Sequence, residues 1–329
     1  MKFVNLQSQK ISFLMKIIDH LAQKAKPLFS FEIIPPARGS SGQYIIDIVE
    51  QLKKFNPPFI DVTSHSAEAF YEDMNDGSIK RRIKRKRPGT IGICGVIQNR
   101  FNIDTVAHIL VNGFSKEETE DALIELNFLG IHNVLALRGD ETNYAKPLHN
   151  NKSTNTYAID LVTQINNLKQ GIYLDEIINS SPLDFCIGVA GYPEKHFEAP
   201  NLKTDIAFLK KKIEAGAEFI TTQMFFENSS YFEFLRHCRE DGITVPIIPG
   251  IKILNNKRHL NTIPKNFHVN LPDALVDEVL NKPEQAGDIG IEWAVQQCQE
   301  LLDNGADCIH FYVMNDTKSA IKVIDSLKY

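Results

Sequence analysis

The chain has 329 residues, a formal net charge of -5, 43% hydrophobic residues and 23% charged residues. These values belong to globular chains and exclude collagen, coiled coil and wholesale disorder. The mild acidity argues against a general affinity for nucleic acid. Five cysteines (Cys94, Cys186, Cys238, Cys298 and Cys308) are an odd number without a Cys-x-x-Cys pair. That excludes a disulfide framework and structural zinc, and points to reduced thiols in a cytoplasmic protein. No run approaches the roughly 18–20 apolar residues of a bilayer span. Met1–Lys16 lacks the pattern of a signal peptide, so no membrane association is expected.

In chain order, a leading helix is predicted over Ile11–Lys24, then strands at Leu28–Ile34 and Phe59–Thr63. Ser64–Pro88 is a long polar insertion ending in the basic run Lys80–Arg87, with seven basic residues in eight. That run reads as a solvated helix face or as a patch for an anionic partner. The third strand is predicted at Thr90–Ile97. A helix follows over Lys116–Leu129, behind the capping box Ser115-x-x-Glu118. Strands at Asn133–Leu137, Asp184–Ala190, Phe219–Met224, Val245–Ile251 and Cys308–Val313 complete a set of eight. Helices are predicted between them at Ala158–Leu168, Leu202–Ala215 and Ile291–Asn304. Lys252–Gly290 is a second irregular stretch, with a short helix near Pro272–Leu280.

Gly130, Gly216, Gly242 and Gly305 each close a helical pattern just before a strand. Four such joints and eight strands predict one (β/α)8 barrel domain over 1–329, with insertions after strands 2 and 7. A doubly wound sheet is the competitor. The strand count disfavours it, as does the lack of Gly-x-Gly-x-x-Gly after a strand.

Side chains alternate along a strand. Phe29, Phe31 and Ile33 share one face of the first strand, so Ser30 and Glu32 point into the barrel. The same alternation pairs Asp61 with Thr63, Arg138 with Asp140, Thr221 with Gln223, and His310 with Tyr312. All lie at or near C-terminal strand ends, where barrels of this class carry their chemistry. Any one could be a satisfied core group; as a converging set they read as a site. A carboxyl sunk in the mouth, Glu32, suits a general acid, and Asp140 beside Arg138 suits an ionised electrostatic partner or a structural ion pair. Tyr192 and His196, in Gly191-Tyr192-Pro193-Glu194-Lys195-His196, offer a stacking face and a hydrogen-bonding ring. No metal-ligand spacing, nucleophile elbow or P-loop is present, so no metal site is expected.

Phe31-Glu32-Ile33-Ile34-Pro35-Pro36, Ala136-Leu137-Arg138-Gly139-Asp140, the Gly191–His196 motif, Thr222-Gln223-Met224-Phe225-Phe226, Ile248-Pro249-Gly250-Ile251 and His310-Phe311-Tyr312 occur in one order. In order and spacing they resemble the methylenetetrahydrofolate reductase family over roughly Pro27 to Tyr329. The resemblance implies FAD at the C-terminal rim and NADH or NADPH as hydride donor. It also implies reduction of methylenetetrahydrofolate to methyltetrahydrofolate for methionine synthesis, and a homo-oligomer. Glu32 matches the general acid, Asp140 the aspartate beside the flavin that also holds folate, and Gln223 and Tyr312 substrate contacts. Thr63, His108, Arg138, Gly139, Ala158, Tyr192, His196, Asp205 and Lys212 match flavin-contacting positions. Of these, His108 falls in a loop after the predicted third strand and would otherwise read as a plain surface histidine.

Ser64-His65 stand where the family often has Tyr-Gly. Lys257 falls near a frequent phenylalanine, and Asp316 replaces a common arginine. These departures keep two alternatives open: another flavin or folate barrel, and a binding protein without catalysis. The basic run could receive a polyglutamate tail, in which case neutralising Lys84–Arg87 weakens long-tailed folates most. The length leaves no room for the regulatory domain of eukaryotic members, so the short bacterial form is expected.

Overall fold

A computed structural model describes residues 14–23, 27–140, 144, 153–314 and 316–329. Eight parallel strands close into a barrel. In barrel order they are β1 (Leu28–Ile33), β2 (Phe59–Val62), β5 (Asp104–Leu110), β6 (Asn133–Leu137), β7 (Cys186–Gly191), β8 (Phe219–Met224), β9 (Ile247–Ile251) and β10 (Cys308–Met314), and β10 pairs back onto β1. The two remaining strands, β3 (Ala67–Asp73) and β4 (Ile79–Arg85), form a separate antiparallel hairpin inserted after β2. The predicted (β/α)8 architecture is therefore the observed one.

The outward strand faces pack on the helices. Phe29, Phe31 and Ile33 of β1 join Ile45, Val49 and Leu52 of α2 (Gln43–Leu52) in the main core. At roughly 2–3 kcal/mol for each fully buried large apolar side chain, this layer supplies most of the driving force for closure. A second cluster fills the barrel's lower end, where Ile17 and Leu21 of α1 (Ile17–Ala22) sit on Phe59, Val106, Leu135 and Phe219. Asn133 fastens this plug by accepting from the Ile17 N–H at 3.0 Å and donating to the Met15 carbonyl at 3.1 Å. The leading helix predicted over Ile11–Lys24 is shorter in the structure, because Leu14–Lys16 are not helical and α1 begins at Ile17; Ile11–Phe13 and Lys24 lie outside the described residues. The lower end is thus filled and apolar, which leaves the upper mouth for chemistry.

The helices α4 (Lys116–Phe128), α5 (Ala158–Leu168), α6 (Leu202–Glu214) and α10 (Ala286–Asp303) match their sequence patterns. The capping box is formed: Ser115 Oγ accepts from the Glu118 N–H, and the Glu118 carboxylate accepts from the Ser115 N–H. The four joint glycines all have positive φ, 69°, 120°, 85° and 85° for Gly130, Gly216, Gly242 and Gly305, as a left-handed helix stop requires.

Two predicted elements are corrected. Thr90–Ile97 is not the third strand but the start of α3 (Thr90–Phe101), and the third barrel strand is β5. Its buried positions, Cys94, Ile97 and Gln98, recur at helical spacing, and Gly89 enters it at φ 107°. The basic run is a strand, β4, rather than a helix face. Lone two-stranded ribbons are marginal in water. This one is pinned near its base, where Arg85 stacks on Phe114 at 4.6 Å and Arg87 donates to the Pro35 carbonyl at 2.8 Å.

The insertion after β9 holds α8 (His259–Phe267) and α9 (Asp273–Asn281), of which only the second was foreseen. The remaining helices are α7 (Asn228–Glu240) and α11 (Thr317–Ser326). All five cysteines are buried and free. Among the described residues, no helix is long and apolar enough to cross a membrane.

Candidate active site

The inward faces of β1, β2, β5 and β10, with the residue just past β9, bring five ionisable groups together at the mouth. Strand register sets Glu32 opposite Asp61 and opposite Tyr312. His108, one alternation beyond Val106 on β5, points the same way and is buried. This overturns the loop placement and the surface reading of His108. Its Nε2 donates to Asp61 Oδ2 at 3.3 Å and lies 3.6 Å from Glu32 Oε2.

The Glu32 side chain is 14% exposed. Burial pushes its pKa up to about 7; His108 and Lys252 oppose the rise and Asp61 adds to it. The mouth therefore holds a carboxyl able to keep its proton near neutrality. Burial alone would lower His108, but the Asp61 hydrogen bond and the Glu32 and Asp61 charges carry it above the ordinary imidazole value.

Lys252 was not singled out from the sequence. It follows Gly250 by one alternation, so the reasoning that placed Tyr312 after His310 reaches it too. Its Nζ donates to the Tyr312 carbonyl at 2.9 Å. Burial lowers its pKa against the pull of Glu32 and Asp316. Tyr312 donates its hydroxyl to the Thr222 carbonyl at 2.5 Å, and burial holds its phenol well above its usual value. Gly250 lies under that ring; a Cβ there would press on Tyr312 and on the Thr222 carbonyl. Gln223, at the end of β8, is half-buried, and its Oε1 accepts from the Met224 N–H at 3.0 Å.

A second group lies beyond β6 and β7. Arg138 forks onto Glu198 at 2.6 and 2.7 Å, which holds the Glu198 carboxyl below its usual range. Tyr192 and His196 meet edge to face at 4.7 Å. Asp205, in the first turn of α6, accepts from the His196 N–H at 2.8 Å and fixes this loop. Lys212 donates to the Ala190 carbonyl at 3.0 Å. Burial brings its pKa down to about 8, opposed by Asp205.

Gly139 has φ 82°, Asp140 is exposed, and Ala158 opens α5. Thr63 Oγ1 lies 3.3 Å from His65 Nε2, so the residue after Ser64 engages the strand end. A cavity of about 320 Å³ sits beside this strand end, lined in part by Ser64, His65, Arg85, Arg87, His108 and Phe114.

Of the residues expected at the site, Glu32, His108 and Tyr312 meet in the mouth, while Gln223 ends β8, two strands away from β10. Arg138, Tyr192, His196, Asp205 and Lys212 form the cationic and aromatic group beside it. A dinucleotide needs cations or N–H donors for its pyrophosphate and a flat ring to lie against. Arg138, Lys212, His196 and Tyr192 have that chemistry, and a buried lysine with a lowered pKa gains most from an incoming anion.

A closed (β/α)8 barrel, plugged below and carrying acid, amine and phenol groups at its C-terminal mouth, defines a TIM-barrel protein with its site at the strand ends. Residues 16–328 match the family described as methylenetetrahydrofolate reductase, and the chain belongs to that family.

Among curated relatives, the chain is 31% identical to a probable methylenetetrahydrofolate reductase (NADPH) of Caenorhabditis elegans, over 94% of this chain and 43% of that one. It is 30% identical to methylenetetrahydrofolate reductase (NADH) 1 of Arabidopsis thaliana, over 95% and 51%. The chain thus spans about half the length of these relatives. The 5,10-methylenetetrahydrofolate reductase of Pectobacterium carotovorum subsp. carotovorum is 28% identical over 91% of this chain and 89% of that protein. Among solved structures, an uncharacterised Clostridium thermocellum protein that binds two copies of 5-methyl-5,6,7,8-tetrahydrofolic acid shares the fold. Its TM-score is 0.58 at 10% identity, covering 93% of this chain and 96% of that one.

Proposed function

We propose that this protein reduces 5,10-methylenetetrahydrofolate to 5-methyltetrahydrofolate with NADH or NADPH, using FAD and with Glu32 as general acid. Family membership supports the reaction. The observation that carries the mechanism is the Glu32 carboxyl, sunk in the mouth, whose pKa of about 7 keeps it partly protonated at neutral pH. When bound, FAD supplies a two-electron carrier that accepts from the nicotinamide and donates to the folate in turn.

The residues of this chain do the rest. Arg138 and Lys212 offer positive charge to the pyrophosphate, while Tyr192 and His196 give an aromatic wall. Glu32 holds a proton and delivers it to a folate nitrogen, so that the five-membered ring opens and its carbon becomes electrophilic. Tyr312 and Gln223 line the substrate side, and Asp140 stands at the rim as a negative charge. The pathway served is one-carbon metabolism and methionine biosynthesis in the cytoplasm.

The test is an anaerobic visible spectrum of the purified protein, followed through NADH and then methylenetetrahydrofolate. A flavin band that bleaches and then returns carries the reading. The Glu32→Gln variant should bleach with NADH and fail to return. Normal folate reduction in that variant removes Glu32 from the acid role, and a protein that takes up no FAD removes the flavin.

A further inference from the structure

The carboxyl proposed as the acid does not stand alone. Glu32, Asp61 and His108 occupy three neighbouring barrel strands and share one inward face. A single ring nitrogen, His108 Nε2, faces both carboxyls, at 3.3 Å from Asp61 Oδ2 and 3.6 Å from Glu32 Oε2. The Asp61 side chain is 1% exposed, and its other oxygen, Oδ1, has no partner. A buried carboxylate with one empty oxygen needs a cation facing the other. Other titratable groups act on the trio as well: Lys252, just past β9, and Tyr312 of β10 influence Glu32, and His310 of β10 and His65 after β2 feel the charge of His108.

We propose that Asp61 and His108 are positioning residues for Glu32: Asp61 holds the ring by Nε2, and His108 returns a proton to Glu32 after each turnover. This rests on the reading of Glu32 as the acid. Once Glu32 has given its proton to the folate, it is a carboxylate beside an imidazolium. The Nε2–H bond then breaks, the Glu32 O–H bond forms, and the ring is left neutral with its remaining proton on Nδ1. A proton from bulk solvent then re-forms the Nε2–H bond and with it the hydrogen bond to Asp61. The cavity lined by Ser64, His65 and His108 brings solvent to the ring. Asp61 also keeps a second negative charge beside Glu32, which discourages Glu32 from resting in the ionised form.

The experiment uses flavin-loaded enzyme and measures both half-reactions by anaerobic stopped flow from about pH 5 to 9. In Asp61→Asn, the midpoint at which folate reduction falls should move down by about one pH unit, because a neighbouring negative charge is gone. Reduction by NADH should keep its profile. In His108→Gln, compared at equal FAD occupancy because His108 matches a flavin-contacting position, the single-turnover rate should fall less than the steady-state rate. Steady-state folate reduction should fall roughly tenfold or more above the midpoint, and added imidazole should restore part of it.

A fall of equal size at every pH, with the wild-type midpoint and no response to imidazole, makes both residues scaffolding and overturns the proposal. Should the variants fail to fold, ¹⁵N-histidine NMR of the wild-type holoenzyme decides. A His108 resonance that titrates in step with folate reduction supports the relay, and a ring neutral throughout the range overturns it. A Glu32→Gln enzyme that reduces folate normally would instead overturn the acid reading itself, a result distinguishable from a flat Asp61→Asn profile.

Discussion

Replacing Glu32 by glutamine should make the protein more stable, by an amount that grows with pH. The carboxyl's pKa rises from an ordinary 4.5 to about 7 in the folded barrel, chiefly through burial. At about 1.4 kcal/mol per pKa unit, holding that group ionised in the native state costs about 3 kcal/mol. The folded chain binds the proton more tightly than the unfolded chain. Below about pH 4.5 both states are protonated, and Glu32 lowers stability by nothing. Between 4.5 and 7 the unfolded chain ionises first, and native stability falls. Above 7 the whole cost is present.

Glutamine has the same size and never ionises, so it escapes this loss. Equilibrium urea unfolding of both proteins, at equal flavin saturation, should show the stability gap widening by about 3 kcal/mol from about pH 4.5 to 8. A gap constant to within about 0.5 kcal/mol would refute the reasoning. Glu32 would then titrate like a surface carboxyl and hold no proton to deliver at neutrality.

Lys212 has the opposite sign. Its pKa of about 8 means that the flavin-free protein loses this charge as pH rises through 8. An arriving pyrophosphate restores it, so FAD affinity should fall above about pH 8, and Lys212→Met should weaken FAD roughly tenfold and erase that pH dependence. Fluorescence titration of the apoprotein reads both, and an unchanged pH dependence in the variant would remove Lys212 from the phosphate site. Neutralising Lys84–Arg87 should weaken polyglutamylated folates more than monoglutamates, and more at low salt. Equal effects on both would sink a tail-binding role for the hairpin. Ser115→Ala breaks a formed capping box and should cost about 1 kcal/mol, read as a lower denaturant midpoint with no change in either half-reaction.

The barrel was legible because its joints repeat. Helix stops such as Gly130 and Gly216 must be glycine for a backbone reason, and the strands between them are nearly continuous in apolar residues. The reading failed at one unit, and the cause is physical. Thr90–Ile97 is rich in Thr, Ile and Val, which suits a strand, yet its tertiary partners select a helix face. Gln98, on that face, donates to the Gly130 carbonyl at 2.6 Å. The true strand, β5, begins Asp104-Thr105 and carries His108, polar residues that break its apolar run. Thr105 finds its partner in Gln98 of the preceding helix, but Asp104 and His108 are satisfied from distant elements. Asp104 Oδ2 pairs with His20 at 2.6 Å and accepts from the Met15 N–H at 3.1 Å. Contacts spanning more than eighty residues leave no local signature.

The same limit explains what was seen of the site and what was not. Alternation along a strand found Glu32 and Tyr312, and it reaches Lys252 as well, because Gly250 pairs with His310 on the inward face. Lys252 escaped notice because it falls one residue past the strand, at the head of an irregular stretch. Its presence changes the meaning of Asp316. The family resemblance would put an arginine there, and from sequence alone the exchange leaves a substrate contact either lost or moved. In the fold, Asp316 caps α11 by accepting from the Ser319 N–H at 3.1 Å, and it accepts from Asn255 Nδ2 at 2.9 Å. That carboxylate also draws on Lys252, whose amine is tied to the neighbouring Tyr312 carbonyl. An amine thus stands beside the end of β10, carried by the residue just past β9, and the Asp316 charge favours its protonated form against the pull of burial.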